Sequence, residues 1–60
     1  KSLITLQEKI LFKNYTKYST PIAVIKSGRL LIVKKEEKKW FKVETGNYVG
    51  WINNEYLWGN

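Results

Sequence analysis

The acidic and basic side chains of this chain offer little from which to build a catalytic site. The five acidic residues are all glutamates, and the 60-residue sequence has no aspartate, histidine or cysteine. Glu36 and Glu37 are adjacent, but they lie in a lysine-rich stretch where nothing indicates the burial that would raise a carboxyl pKa. Glycine-rich phosphate loops, nucleophile elbows and metal-ligand spacings are also missing. The sequence therefore predicts a protein that is not an enzyme and uses no cofactor or metal.

Aromatic side chains are the stronger chemical signal. The chain has three Trp, four Tyr and two Phe, more than the core of so small a protein can hide completely. Phe41 and Trp51 are expected in the core or at its lid. The candidates for a surface groove lie in predicted loops or on the outward face of a predicted hairpin: Tyr15, Tyr18, Trp40, Tyr48 and Trp58.

Lysines lie close to these aromatic residues in the sequence, and Lys13, Lys17 and Lys42 are the ones expected to flank the groove. Tyr and Trp provide a large amphipathic contact area at low entropic cost, which suits extended peptides and sugars. Ammonium groups beside them attract carboxylates. We therefore predict a ligand site for a peptidoglycan stem peptide or an acidic peptide strand, formed by Lys13, Tyr15, Lys17, Tyr18, Trp40 and Tyr48.

The net charge of +6 raises a competing hypothesis. A basic surface with exposed aromatic rings can also bind RNA or single-stranded DNA, by stacking and by neutralising phosphates. However, Arg29 is the only arginine among eleven basic residues, and arginine is the residue preferred for bidentate phosphate contacts. A solvated basic surface is the simpler interpretation, so nucleic acid remains the alternative partner and a purely structural spacer a third possibility.

The element that must position most of these residues is a hairpin over residues 40 to 52. Phe41 and Val43 alternate with polar residues, which is typical of a strand with one buried face. Gly46 and Asn47 reach positive φ at low cost, so they predict the tight turn. Gly50, in the second strand, predicts a place where another backbone or ring comes close.

The rest of the chain also indicates short strands. Residues 9 to 12, 21 to 25 and 30 to 35 are predicted strands, residues 13 to 20 an ordered loop, and residues 1 to 6 a short first strand or an arm. We expect no helix of ten residues. The fold prediction is an all-β, small barrel of five to six antiparallel strands, with a core that includes Phe12, Ile25, Ile32, Phe41, Val43, Val49 and Ile52.

The second half of the chain contains three short motifs, Trp40-x-Lys42-Val43, Gly50-Trp51-Ile52 and Tyr56-Leu57. In this order they resemble the C-terminal half of bacterial Src-homology-3-like (SH3b) domains, which implies that the barrel is SH3-like. The ending Leu57-Trp58-Gly59 is similar to the variant in extracytoplasmic proteins of Gram-negative bacteria. In the first loop, Lys13 replaces the family's usual Arg and Asn14-Tyr15-Thr16 replaces Ser-Gly-Pro. Only Pro21-Ile22 is retained at the loop exit.

The resemblance implies a cell-wall or peptide-binding accessory module that targets a parent protein outside the cytoplasm, in the periplasm or as a secreted protein. The first loop is basic rather than acidic, so proline-rich partners are not expected. Residues 1 to 60 should form a single domain. Because the chain begins at Lys1 and has no apolar run of membrane-span or signal-peptide length, we expect it to be excised from a longer protein and not to insert into a membrane.

Overall fold

The computed structural model describes residues 1–59, and strands are the only regular secondary structure among them. The strands are β1 (Ser2–Thr5), β2 (Lys9–Phe12), β3 (Pro21–Ile25), β4 (Leu30–Glu36), β5 (Trp40–Thr45), β6 (Tyr48–Asn53) and β7 (Leu57–Trp58). They form one antiparallel sheet in the order β3-β2-β6-β5-β4-β1-β7, which curls into a small SH3-like barrel. The predicted fold is confirmed. The structure has seven strands because the N-terminal residues form β1, which pairs with β4, and the two-residue β7 pairs with β1.

The β5–β6 hairpin forms where the sequence predicts it. Gly46 adopts φ of 57°, and this left-handed conformation brings Thr45 opposite Tyr48. From that pair the register continues to Val43 opposite Gly50. The turn residues therefore determine which side chains of the hairpin face the barrel interior.

The barrel core is small and entirely aliphatic at its centre. Leu11, Ile25, Leu31, Val43 and Ile52 form the buried cluster, and Val33, Phe41 and Leu57 pack against it partly buried. Ile25, Val43 and Ile52 are thus confirmed as core residues, and Phe41 packs at the edge of the cluster. No described segment is a helix long and apolar enough to cross a membrane.

Two residues predicted for the core lie on the outer face instead: Ile32 is 38% exposed and Val49 is 48% exposed. The reason is strand parity. Leu3 pairs with Leu31, which turns Leu31 inward and the next residue, Ile32, outward. In β6, Ile52 is inward, so an odd-numbered position such as Val49 must point out.

Phe12 is also not part of the aliphatic cluster. It is half-buried, and its ring lies edge-on to Trp40 with centroids 5.9 Å apart and planes at 78°. Leu11 occupies the inward position of β2 instead, with no exposed surface. The barrel therefore has a second, aromatic layer outside β2 and β6, beneath the loop that joins β2 to β3.

Candidate functional site

An open cleft of about 480 Å³ lies where three segments meet: the loop between β2 and β3, the start of β5, and the turn between β6 and β7. Its wall residues are Tyr15, Thr16, Lys17, Tyr18, Lys39, Trp40, Asn53, Asn54 and Glu55. Two of the three segments are held together by a hydrogen bond of 3.0 Å that the Asn54 N–H donates to the Lys39 carbonyl. The cleft is thus built from elements far apart in the sequence.

Aromatic ring contacts hold two wall residues of the cleft, Tyr15 and Trp40, against the barrel. The Tyr15 ring is edge-on to Trp51, with centroids 5.0 Å apart and planes at 60°, a preferred geometry for aromatic pairs. Trp51 is buried, with 7% of its surface exposed, so its prediction as a core or lid residue is confirmed. Trp40 is similarly seated on Phe12. Tyr15 and Trp40 thus each contact another aromatic ring of the barrel and also border the cleft.

The first loop is ordered by its own backbone, as predicted. The Lys13 N–H donates to the Thr20 carbonyl at 2.9 Å, which closes the loop at its base, and the Asn14 N–H donates to the Ser19 hydroxyl at 2.9 Å. These bonds pair donors and acceptors inside the loop itself. A ligand at the cleft therefore meets a surface that needs little ordering on binding.

At the tip of this loop Tyr18 is 87% exposed, and the ammonium of Lys17 lies 5.5 Å from its ring centroid. That distance allows a cation–π contact. Tyr18 contributes little to the core, so its ring is free to contact a ligand. The loop thus presents an aromatic ring and a cation together.

A buried lysine supports the opposite wall. Lys9 lies on the inward face of β2, 6% exposed, and its ammonium donates hydrogen bonds to the Asn53 side-chain oxygen and, at 2.7 Å, to the Glu55 carbonyl. Desolvation lowers the pKa of Lys9, against the opposing effect of the Glu55 charge. Lys9 therefore anchors the turn between β6 and β7.

Lys9 has no part in the predicted site, since its sequence neighbours indicate only a strand. The signal that could have identified Lys9 is its spacing from Leu11, because residues two apart in a strand lie on the same face, and both are buried in β2. A lysine on the core face of a strand needs a hydrogen-bond partner at the barrel end. Asn53 and Glu55 provide that partner from the far end of the chain.

The charges around the cleft suit binding rather than catalysis. Lys17 and Lys39 provide two cations, and Glu55 is the one carboxylate among the wall residues. A lone exposed glutamate lacks the paired group and the burial that acid–base chemistry requires. Within residues 1–59 no group of three or more His, Cys, Asp or Glu side chains is placed to hold a metal.

The structure brings together four of the six predicted site residues: Tyr15, Lys17, Tyr18 and Trp40. Lys13 lies at the base of the loop and is not a wall residue. Tyr48 is at the other end of the hairpin, because it pairs with Thr45 beside the turn whereas Trp40 pairs with Asn53. Tyr48 borders a separate cleft.

The chain matches a known protein family. The model of the family described as bacterial SH3 domain matches residues 11–57. No curated protein and no solved structure matches the chain. The matched region contains the first loop, the hairpin and the turn that together form the cleft. The chain therefore belongs to the bacterial SH3 domain family and is a binding module of that type.

Proposed function

We propose that this module binds peptide ligands of the cell wall, with the peptidoglycan stem peptide as the preferred ligand, in the cleft between the first loop and the turn after β6. The observation that carries the proposal is the meeting of Tyr15, Lys17, Tyr18 and Trp40 in one cleft. Exposed aromatic rings flanked by cations are suited to an extended, carboxylate-bearing chain. Protein segments of the same chemistry would bind in the same way.

The arrangement of charge gives the ligand a direction. Lys17 and Lys39 attract carboxylates, while Glu55 attracts an amino group. A stem peptide has both kinds of group, carboxylates and a free amine. Exposed ion pairs contribute only ~0.2–1 kcal/mol each, so the rings supply most of the affinity and the charges orient the ligand.

We further propose that the module targets a parent protein to its ligand outside the cytoplasm. Both points rest on the family and on the peptide chemistry of the cleft. They predict that residues 1–60 fused to a fluorescent protein bind to isolated cell walls. Binding that is equal for a fusion carrying Trp40→Ala would contradict the targeting role of the cleft.

Sedimentation with purified peptidoglycan, compared with fluorescence titration against single-stranded oligonucleotides at two salt concentrations, tests the proposal. We expect co-sedimentation with peptidoglycan that depends weakly on salt. Oligonucleotide binding that falls steeply with salt, in the absence of peptidoglycan binding, would instead favour the nucleic-acid alternative.

A further inference from the structure

A second cleft, of about 290 Å³, lies at the opposite end of the β5–β6 hairpin. It is formed between the turn that joins β3 to β4 and the turn that joins β5 to β6. Its wall residues are Ala23, Val24, Ile25, Lys26, Arg29, Thr45, Gly46, Asn47 and Tyr48. None of them borders the first cleft.

The first of these turns is fixed to the barrel by a buried threonine. Thr5 is 1% exposed, and its hydroxyl donates to the Lys26 carbonyl at 2.8 Å and accepts from the Arg29 N–H at 2.9 Å. The Thr5 N–H also donates to the Arg29 carbonyl at 3.1 Å, and its carbonyl accepts from the Gly28 N–H at 2.7 Å. Four hydrogen bonds from one residue therefore hold the backbone that carries Lys26 and Arg29.

The second cleft is cationic. It has Lys26 and Arg29, both exposed, and its walls include no carboxylate. Neither cation belongs to an ion pair within 4.0 Å among residues 1–59, where the observed pairs use other lysines. Glu44, next to the cleft in sequence, is already 3.5 Å from Lys34. Glu8 and Lys26 adjoin the terminal β2–β3 pair, Lys9 with Ile25, and among residues 1–59 they form no ion pair within 4.0 Å.

Apolar surface lies beside these cations. Val24 is 58% exposed and Tyr48 51% exposed, and β3 is an edge strand of the sheet. The planar guanidinium group of an arginine can bind a carboxylate through two parallel hydrogen bonds. A nucleic-acid backbone would instead need a row of cations spaced along its phosphates. Two cations beside an aromatic ring and a valine match one acidic side chain with apolar neighbours.

We propose that this second cleft binds an acidic side chain of a peptide segment, with the carboxylate held by Arg29 and Lys26 and an adjacent apolar residue packed on Tyr48. The site is separate from the cleft of the proposed function. A module with both sites can hold two points of one partner, or two partners, at its opposite ends. Either proposal can be disproved without affecting the other, because the two clefts share no wall residue.

Two blocked tetrapeptides, acetyl-Ala-Val-Glu-Val-amide and its glutamine counterpart, test the site in ¹H–¹⁵N NMR titrations of the whole chain. We expect the glutamate peptide to shift the amides of residues 26–29 and 46–48 and the Arg29 Nε–H. The glutamine peptide should bind about three- to tenfold more weakly, because it lacks the charge that both exposed cations attract.

Variants locate the interaction. Arg29→Gln should lower affinity for the glutamate peptide about two- to fivefold, the range for the loss of one exposed ion pair, and its fold should be retained because only the backbone of Arg29 bonds to Thr5. Lys38→Gln removes the same charge from the loop after β4 and should leave the affinity unchanged. Equal binding of both peptides to the unaltered chain would overturn the proposal, as would equal losses in the two variants. Tighter, strongly salt-dependent binding of oligothymidylate at residues 26–29 would also overturn it.

Discussion

The Tyr15 ring in the first loop lies edge-on to the buried Trp51 of β6, with centroids 5.0 Å apart. This contact joins a wall of the first cleft to the barrel, so the position of the loop depends on an aromatic pair as well as on backbone hydrogen bonds. If the proposed function holds, binding and stability are therefore linked at Tyr15. Tyr18, three positions further along, has no comparable interior contact and is available for ligand alone.

Tyr15→Ala should lower the free energy of unfolding by at least ~0.5–1.5 kcal/mol, the worth of an aromatic pair beyond its area burial. It should also shift the NMR signal of the Trp51 indole N–H, because the ring that covers it is removed. Tyr15→Phe retains the edge-on ring and serves as the control in urea denaturation. Equal stability of the alanine and phenylalanine variants would show that the loop does not depend on this pair.

Gly50→Val should destabilise the barrel by roughly 1–3 kcal/mol through overpacking. A Cβ at Gly50 would lie 2.7 Å from the Phe12 carbonyl oxygen and 2.8 Å from Leu11 Cγ, and the backbone oxygen cannot move away cheaply. Gly46→Asn is the control, because the space around Gly46 is open and asparagine tolerates its positive φ. An unchanged melting curve for Gly50→Val would contradict the observed close approach of β2 to Gly50.

Thr5→Val should lower the free energy of unfolding by about 1–3 kcal/mol, because it leaves the Arg29 N–H and the Lys26 carbonyl without their hydroxyl partner at a buried position. Thr5→Ser retains the hydroxyl and should lose much less. Thermal unfolding of the two variants measures the difference. If both melt at the same temperature, the hydroxyl does not anchor the turn.

Lys9 should make stability depend on pH in the alkaline range. Its pKa is lowered in the folded state by desolvation, so the unfolded chain binds more protons between that lowered pKa and the ordinary value of 10.5. Unfolding free energy therefore rises with pH across this window. The difference in stability between the unaltered chain and Lys9→Met should accordingly grow, in favour of lysine, as pH approaches 10.5. A constant difference would contradict the shift.

The fold could be predicted because its signals are local. Alternation in residues 40 to 44 and the Gly46-Asn47 turn determine the hairpin without information from elsewhere in the chain. The prediction that Ile32 and Val49 lie in the core was wrong, because the face of the sheet on which each side chain lies depends on pairing with a strand far away in the sequence. Only the pairing of Leu3 with Leu31, far apart in sequence, settles that Ile32 points outward.

The candidate site was predicted in part for the same reason. Tyr15, Lys17 and Tyr18 share one loop, and Trp40 joins them because β5 begins beside it. The separation of Tyr48 from Trp40 follows from the length of β5 and β6, since the two rings lie at opposite ends of the hairpin. Lys9 was missed because its partners, Asn53 and Glu55, are brought to it only by the closed barrel.

The affinity of cleft variants for soluble cell-wall fragments tests the central claim most directly. Tyr18→Ala and Trp40→Ala should each retain the circular dichroism spectrum and lower affinity by more than about tenfold, or about 1.4 kcal/mol. Trp58→Ala removes an exposed Trp outside the cleft and should bind like the unaltered chain. The opposite result would be normal binding by both cleft variants and complete loss in a Lys34→Glu/Lys35→Glu variant. The ligand would then be a polyanion that binds to β4, and the first cleft would not be the binding site.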